Sequence, residues 1–336
     1  MSTVPVPNAS HAGPRPQRPL LQARGLEVHF PVRGRPGRRT TVKAVDGLDL
    51  TWHQGEVLGV VGESGSGKST LGRALLGLER PTAGQVLLDD TALSRARLRD
   101  LRRRVQMVFQ DPYQALDPRQ RVGQIVLEPL EIHRIGQGRE DRERLALAAL
   151  EAVGLQPPER FWGRYPHELS GGQRQRVAIA AAVVLEPEGL ICDEPVSALD
   201  VSVRNQVLHV LMNLRRDRGL GLVLITHDLG LAWVLCDRVA VMYLGRIVET
   251  GPTTEVISDP RHPYTRSLLA AVPRPSREAG ERREVLKGEV PDASLLPAGC
   301  RFHPRCPRRL ERCRHDDPLE LTPVGPEGHR TACWLD

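Results

Sequence analysis

Gly62-Glu63-Ser64-Gly65-Ser66-Gly67-Lys68-Ser69 decides how this chain is read. The compact apolar run Val57–Val61 precedes it, and Leu71–Leu78 follows with helical spacing. A strand, a glycine-rich turn and a helix in that order form a cradle for phosphate. Glycines let successive backbone N–H groups turn inward around phosphate oxygens, where a Cβ would obstruct the path. The helix N-terminus adds the positive end of its dipole. Lys68 can reach the β- and γ-phosphates, Ser69 can hold Mg²⁺ through its hydroxyl, and Thr70 follows at the helix start. Gly-rich turns before helices also occur without ligands, but the full motif in its expected flanks argues for phosphate.

Working outward, Val105–Phe109, Leu190–Cys192, Leu222–Ile225 and Val239–Met242 are short apolar runs that fit buried strands. Between them, Arg142–Val153, Val177–Leu185 and Val203–Leu214 repeat with helical spacing. The alternation predicts an α/β fold with a mostly parallel sheet, interrupted by a helical insertion over about residues 111–180. Residues 1–20 hold five prolines and read as a disordered tail. A first strand is expected at Leu26–Phe30 and an exposed loop over 31–41. Residues 21–260 form the main domain, and the Pro-, Arg- and Cys-rich remainder, 261–336, an extension.

Aromatic residues are only 4% of the chain, so the core must be built from Leu, Val, Ile and Ala. The longest apolar run, Val177–Leu185, is half the roughly 18–20 residues that a membrane span needs. The N-terminus has no apolar stretch of the kind a secretory signal carries. These features predict a cytosolic chain whose membrane role, if any, runs through a partner. The net charge is +6, with a run of arginines at 95, 97, 99, 102, 103 and 104. No aromatic residues interleave with them as stacking platforms, so they read as a solvated helix face, not a nucleic-acid surface.

Two further segments carry chemistry. Asp193 and Glu194 close the run Leu190–Cys192. At a strand end, adjacent side chains point to opposite sides, so one carboxylate could address a metal and the other a water. Leu169-Ser170-Gly171-Gly172-Gln173 precedes a helical run, with Ser170 as N-cap and two glycines baring backbone N–H groups: a second anion cradle. Either segment alone is common in ordinary loops and caps.

Together the motifs resemble those of ABC-transporter ATPases, whose hallmark is LSGGQ at 169–173. Gln110, in Val108-Phe109-Gln110-Asp111-Pro112, resembles the Q-loop; Ser197-Ala198-Leu199-Asp200 resembles the D-loop; His227 resembles the switch histidine. The resemblance runs from about residue 25 to 250. It implies a P-loop NTPase of ABC ATPase fold: a RecA-like core with an antiparallel β subdomain and a helical subdomain. It also implies that two cassettes pair head to tail, each ATP lying between one phosphate loop and the other subunit's LSGGQ. Ser170, Gly171 and Gly172 would then serve a nucleotide held by the partner. Glu194 would be the general base, His227 would contact the γ-phosphate, and Ser69, Gln110 and Asp193 would arrange Mg²⁺. Asp200 would contact the opposite site. An aromatic residue from an early strand usually stacks on adenine, and Phe30 is the candidate.

The extension narrows the resemblance. His262-Pro263-Tyr264-Thr265 and Gly299-Cys300-Arg301-Phe302-His303-Pro304-Arg305-Cys306-Pro307 resemble the oligopeptide/dipeptide importer branch, which also handles nickel. The segment Asp193–Arg204 is most similar to the second of that branch's two paired ATPases. Cys300, Cys306, Cys313 and Cys333 could supply four thiolates, at spacings wider than the C-x-x-C pairs of most zinc modules. By itself this leaves zinc, an iron–sulfur cluster or free thiols open; the resemblance implies a [4Fe–4S] cluster in preference to Zn²⁺. Cys192 and Cys236, within apolar sequence, read as core residues. The implied partners are a sibling ATPase in a heterodimer, two membrane permeases and an extracytoplasmic solute-binding protein, with the chain peripheral on the cytoplasmic face. The rival readings are a soluble ABC ATPase acting on nucleic acid, and a redox or metal sensor centred on the cysteines. A single cassette without a coiled-coil insertion weighs against the first.

Overall fold

The computed structural model describes residues 18–33, 39–111, 115–197, 199–271, 291–318, 320–325 and 328–335. The expected tail therefore lies almost wholly outside the described residues.

Strand β3 (Val57–Val61) is buried at every position, as are β7 (Gly189–Asp193) and β8 (Gly221–Thr226). Continuous apolar runs of this kind demand cover on both faces, which only a central parallel sheet with flanking helices provides. With β6 at Val105–Val108, β9 at Arg238–Tyr243, β10 at Arg246–Pro252, β11 at Thr322–Pro323 and β12 at Arg330–Thr331, the sheet order is β11-β12-β10-β9-β3-β8-β7-β6. The pairs β6–β7, β7–β8, β8–β3 and β3–β9 are parallel, and β10 turns back antiparallel on β9. The phosphate loop, Gln110, Glu194 and His227 sit just past the C-terminal ends of β3, β6, β7 and β8, where open α/β sheets bind ligands.

A second sheet, β2-β1-β4-β5, is antiparallel. Its long hairpin joins β1 (Pro19–Arg33) to β2 (Arg39–His53), with β4 at Ala83–Leu88 and β5 at Thr91–Ala92. This corrects the expected strand and loop. Pro31, Val32 and Arg33 pair with Thr41, Thr40 and Arg39, so the ladder continues through most of the stretch read as a loop. The sequence there shows no alternation of apolar and polar residues, so periodicity passes over it. Trp52 anchors this sheet to the main one: it is 1% exposed, its indole N–H donates to the Glu56 carbonyl, and it packs on Gly189 and Gly221.

The helical insertion is present as Val122–His133, Arg139–Ala152 and Glu159–Trp162, leading into the helix Gly171–Val183. In Arg139–Ala152, Ala146, Ala149 and Leu150 are buried, followed by Val153 at the helix end. The arginine run is not merely solvated. Arg104 ties Asp89 to Glu188, Arg97 donates to the Leu88 and Thr91 carbonyls, and Arg99 to that of Ile132. Cys192 and Cys236 are core residues, 0% and 4% exposed.

The extension is woven into the main domain. Its strands β11 (Thr322–Pro323) and β12 (Arg330–Thr331) continue the central sheet, β12 pairing with β10 through Glu249↔Thr331 and Thr250↔Arg330. Among the described residues, no helix is long and apolar enough to cross a membrane.

Candidate active site

The phosphate loop is wedged between β2 and the end of β9. Gly67 caps the helix Lys68–Leu75 at φ 103°, and a Cβ there would lie 1.9 Å from the Ala44 carbonyl oxygen. Only glycine satisfies both the left-handed backbone and that approach. The Gly245 N–H donates to the Ser66 carbonyl at 2.9 Å, fixing the loop from the β9–β10 turn. Lys68 is 5% exposed, and its ammonium donates to the Gly62 and Glu63 carbonyls, each at 2.8 Å. Burial lowers the Lys68 pKa, while Glu194, Asp193 and Glu63 pull it back up.

Asp193 ends β7 and is 1% exposed. Its carboxylate accepts the Ser69 hydroxyl at 2.9 Å. Burial raises its pKa and the Glu194 charge adds to that, against the lowering pull of Ser69, Arg73 and Lys68. A carboxylate so placed gains strongly from a cation.

Glu194 has a left-handed backbone, φ 44°. Its N–H donates to the Ile225 carbonyl, and its own carbonyl accepts from the Ser197 N–H and hydroxyl. Three hydrogen bonds thus hold the turn that aims its carboxylate, which meets the Gln110 amide at 3.3 Å and His227 Nδ1 at 3.3 Å. This corrects the alternation argument. The strand has ended by Glu194, and the left-handed turn, not the pleat, sets the direction of its side chain.

A cavity of about 210 Å³ opens here, lined by Val42, Ala44, Ser64, Gly65, Gly67, Lys68, Ser69, Thr70, Gln110, Glu194 and Ala293. Glu63, Ser64, Gln110, Glu194, His227 and Leu268 line an adjoining one of about 470 Å³. Phe30 lines neither; it is half-buried and packs against the core beneath the antiparallel sheet, opposite Val42 in the hairpin register. The oxygen-rich set at Ser69, Asp193 and Gln110 suits a small hard cation such as Mg²⁺.

Leu169 is buried, and Ser170 caps the next helix, accepting from the Gln173 N–H while its own N–H donates to the Gln173 side chain. Gly172 packs on Val203: a Cβ there would lie 2.2 Å from Val203 Cγ1. None of residues 169–173 lines the two cavities at the phosphate loop. Asp200 caps the helix Val201–Arg218 and is exposed; Ser197 and Leu199 are half-buried, and Ala198 lies outside the described residues.

Sequence reading missed contacts from the extension. The Tyr264 hydroxyl accepts the Glu63 N–H at 2.8 Å, and Ala293 lines the cavity at the phosphate loop. The His262–Thr265 motif flagged the segment, but nothing in a linear sequence places it over the loop 200 residues upstream. The cysteines are gathered in part: the Cys300 N–H donates to the Cys313 carbonyl at 2.9 Å, and Cys313 is buried. Burial pushes the Cys300 thiol up to about 12, with Cys313 and Cys333 close enough to add to the shift. Glu27, His29 and Asp46 also converge, but Lys43, Arg246 and Arg301 already engage Asp46, so this is an ion-pair network.

Residues 45–197 match the family model for ABC transporters, and residues 248–313 that for the oligopeptide/dipeptide transporter C-terminal region. The chain is 46% identical over 323 residues to a Brucella ovis protein named for peptide import and ATP binding, covering 95% of this chain and 99% of that one. It is 46% identical to the dipeptide transport ATP-binding protein DppF of Haemophilus influenzae, over 89% of this chain and 92% of that one. Among solved structures, it resembles a dimeric ATP-binding cassette in a post-hydrolysis state with ADP and Pi. The TM-score is 0.61 at 29% identity, covering 69% of this chain and 98% of that one. A subunit of the cbiONQ transporter complex of Clostridium perfringens gives the same TM-score, 0.61, at 29% identity over 72% of this chain and 92% of that one.

Proposed function

Because this chain belongs to the ATP-binding subunits of ABC transporters, with the oligopeptide/dipeptide C-terminal region, we propose that it hydrolyses ATP to drive peptide import. The observation that carries this is that Lys68, Ser69, Gln110, Glu194 and His227, from four strand ends, line two adjoining cavities, with Asp193 bonded to Ser69 beside them. The peptide names of the relatives, at 45–46% identity, support the solute class.

In this reading, the loop N–H groups of residues 62–69 and the Lys68 ammonium bind the phosphates. The two carbonyls that Lys68 now holds are given up when its Nζ turns to the γ-phosphate. Ser69, Asp193 and Gln110 would hold Mg²⁺, which when bound neutralises phosphate charge. Glu194 orients and deprotonates the attacking water, and His227 moves from Glu194 to the γ-phosphate. Ser170, Gly171, Gly172 and Gln173 donate to a nucleotide on a partner cassette, which is why they stand clear of this chain's own cavity. Asp200 reaches the partner's site. Phe30 is the adenine-stacking candidate, on the same hairpin face as Val42. Closure of the two cassettes on ATP, and relaxation after hydrolysis, would move the surface around Gln110 and the helical insertion against the permease.

The partners in this reading are a sibling ATPase, two permeases and an extracytoplasmic receptor, with this chain on the cytoplasmic membrane face. Cys300, Cys306, Cys313 and Cys333 would hold a [4Fe–4S] cluster in preference to Zn²⁺. The soft donor set and the Cys300–Cys313 backbone link fit such a group, whose binding would order the segment.

Glu194→Gln in the assembled transporter tests the reading. Nucleotide binding should persist while kcat falls by roughly 10²-fold or more. Turnover near wild type contradicts the role. Lys68→Ala should weaken ATP binding itself, as read by titration with a fluorescent analogue.

A further inference from the structure

The phosphate loop is held from outside the cassette by a buried guanidinium. Arg305, 5% exposed, donates through two nitrogens to the two carboxylate oxygens of Glu63, at 2.6 and 3.0 Å. Glu63 is the second residue of the loop. Its backbone is engaged as well: its N–H donates to the Tyr264 hydroxyl, and its carbonyl accepts from Lys68 Nζ. Arg305 is itself fixed. Its N–H donates to the Phe302 carbonyl at 3.0 Å, and its guanidinium lies 5.9 Å from the Tyr243 ring centre. Tyr243, Tyr264 and Phe302 pack with ring centres 4.6 to 5.5 Å apart, joining β9 to two segments of the extension, the helix Pro263–Ala271 and the stretch around Phe302.

We propose that Arg305 is a positioning residue for ATP binding: the C-terminal extension, through the Arg305–Glu63 fork, holds the phosphate loop open for the nucleotide. The physical reason is the form of the loop. A Gly-rich turn loses much conformational entropy when it closes around phosphate. A two-point, charge-assisted clamp on its second residue removes part of that freedom before ATP arrives. Glu63 carries a negative charge toward a site for an anion, which a bare loop would not favour; Arg305 neutralises it. The Lys68 ammonium, resting on the Glu63 carbonyl, is then presented at a fixed place. A packing role alone would leave nucleotide affinity untouched once the chain had folded.

This inference rests on the reading of residues 62–69 as the ATP site. The test uses the full-length chain in its assembled transporter, with KM and kcat for MgATP and titration with a non-hydrolysable ATP analogue. Arg305→Gln should raise KM and analogue Kd about tenfold, with kcat changed far less. Glu63→Gln should also raise KM, but less than Arg305→Gln, since it removes the fork without leaving a bare negative charge beside the phosphates; the double variant should be no worse than Arg305→Gln, because both remove the same contact. If Arg305→Gln has a KM within twofold of wild type, or the two effects multiply in the double variant, the proposal is overturned. Should Arg305→Gln fail to fold, Arg305→Lys carries the test: it keeps charge and stem but forfeits the fork. A raised KM then supports the clamp and an unchanged KM overturns it. If wild-type protein itself neither binds nor splits ATP, the ATP-site reading fails instead, so the two failures are distinct.

Discussion

Glu194 and His262 show how much one residue's surroundings decide. Glu194 owes its aim to a left-handed turn held by Ile225 and Ser197, a conformation that L residues rarely adopt and that recurs at functional sites. His262 is 2% exposed; its ring accepts the Tyr264 N–H at 3.1 Å, and its own N–H donates to Glu249. Burial lowers its pKa to about 4, against a weaker upward pull from Glu249. Between its ordinary value near 6.5 and 4, the unfolded chain binds a proton that the folded chain refuses. Stability from this residue is therefore full above pH 6.5 and lost as pH falls toward 4, by up to about 1.4 kcal/mol per unit. Melting temperature should drop from pH 6.5 to 5, before most carboxylates titrate, and His262→Gln should flatten that slope. An unchanged slope contradicts the assignment.

At the scale of elements, the approach of two helices turns on Gly172. The helix Gly171–Val183 carries the exposed Ser170 cap, and Val201–Arg218 begins just past Asp200. They meet where Val203 fills the space a Cβ on Gly172 would need. Gly172→Ala should cost about 1–3 kcal/mol of stability by overpacking. It should also displace the cap, so ATPase activity in the assembled transporter falls. Gly172→Ala with Val203→Ala should recover most of the lost melting temperature. If the single variant melts like wild type, the close approach is not what fixes these helices. The sheet-to-sheet joint at Trp52 has the same character: Trp52→Ala should destabilise the chain by about 3–5 kcal/mol, since Gly189 and Gly221 leave nothing else to fill the gap. The arginine run belongs here too. Its side chains reach carbonyls and carboxylates of three neighbouring segments, which no helical wheel of residues 95–104 reveals.

Taken whole, the molecule is a nucleotide-binding sheet whose edge and loop are both secured by its last seventy or so residues. Arg301 reaches the Leu244 carbonyl and Asp46; His329 and Glu249 form a buried pair at 2.8 Å; β12 extends β10. If the cysteines hold a cluster, anaerobically purified protein should carry iron and acid-labile sulfide. Both should be lost on replacing Cys300 and Cys313 by Ser. Zinc in their place would favour the other metal, and neither element would leave the thiols free.

The linear sequence determined the phosphate loop, the Asp-Glu pair, the signature segment and their order, because each is local: a strand, a turn and a helix start need only neighbouring residues. Val57–Val61 was legible to the residue, since a wholly buried strand is a continuous apolar run. Contacts between distant segments were decided only in three dimensions. The hairpin pairing through Pro31–Arg33, the turn that aims Glu194, and the Arg305–Glu63 clamp across 242 positions arise from partners that no local pattern encodes. Charged side chains find their partners by where the core folds them, and that is a property of the packed chain.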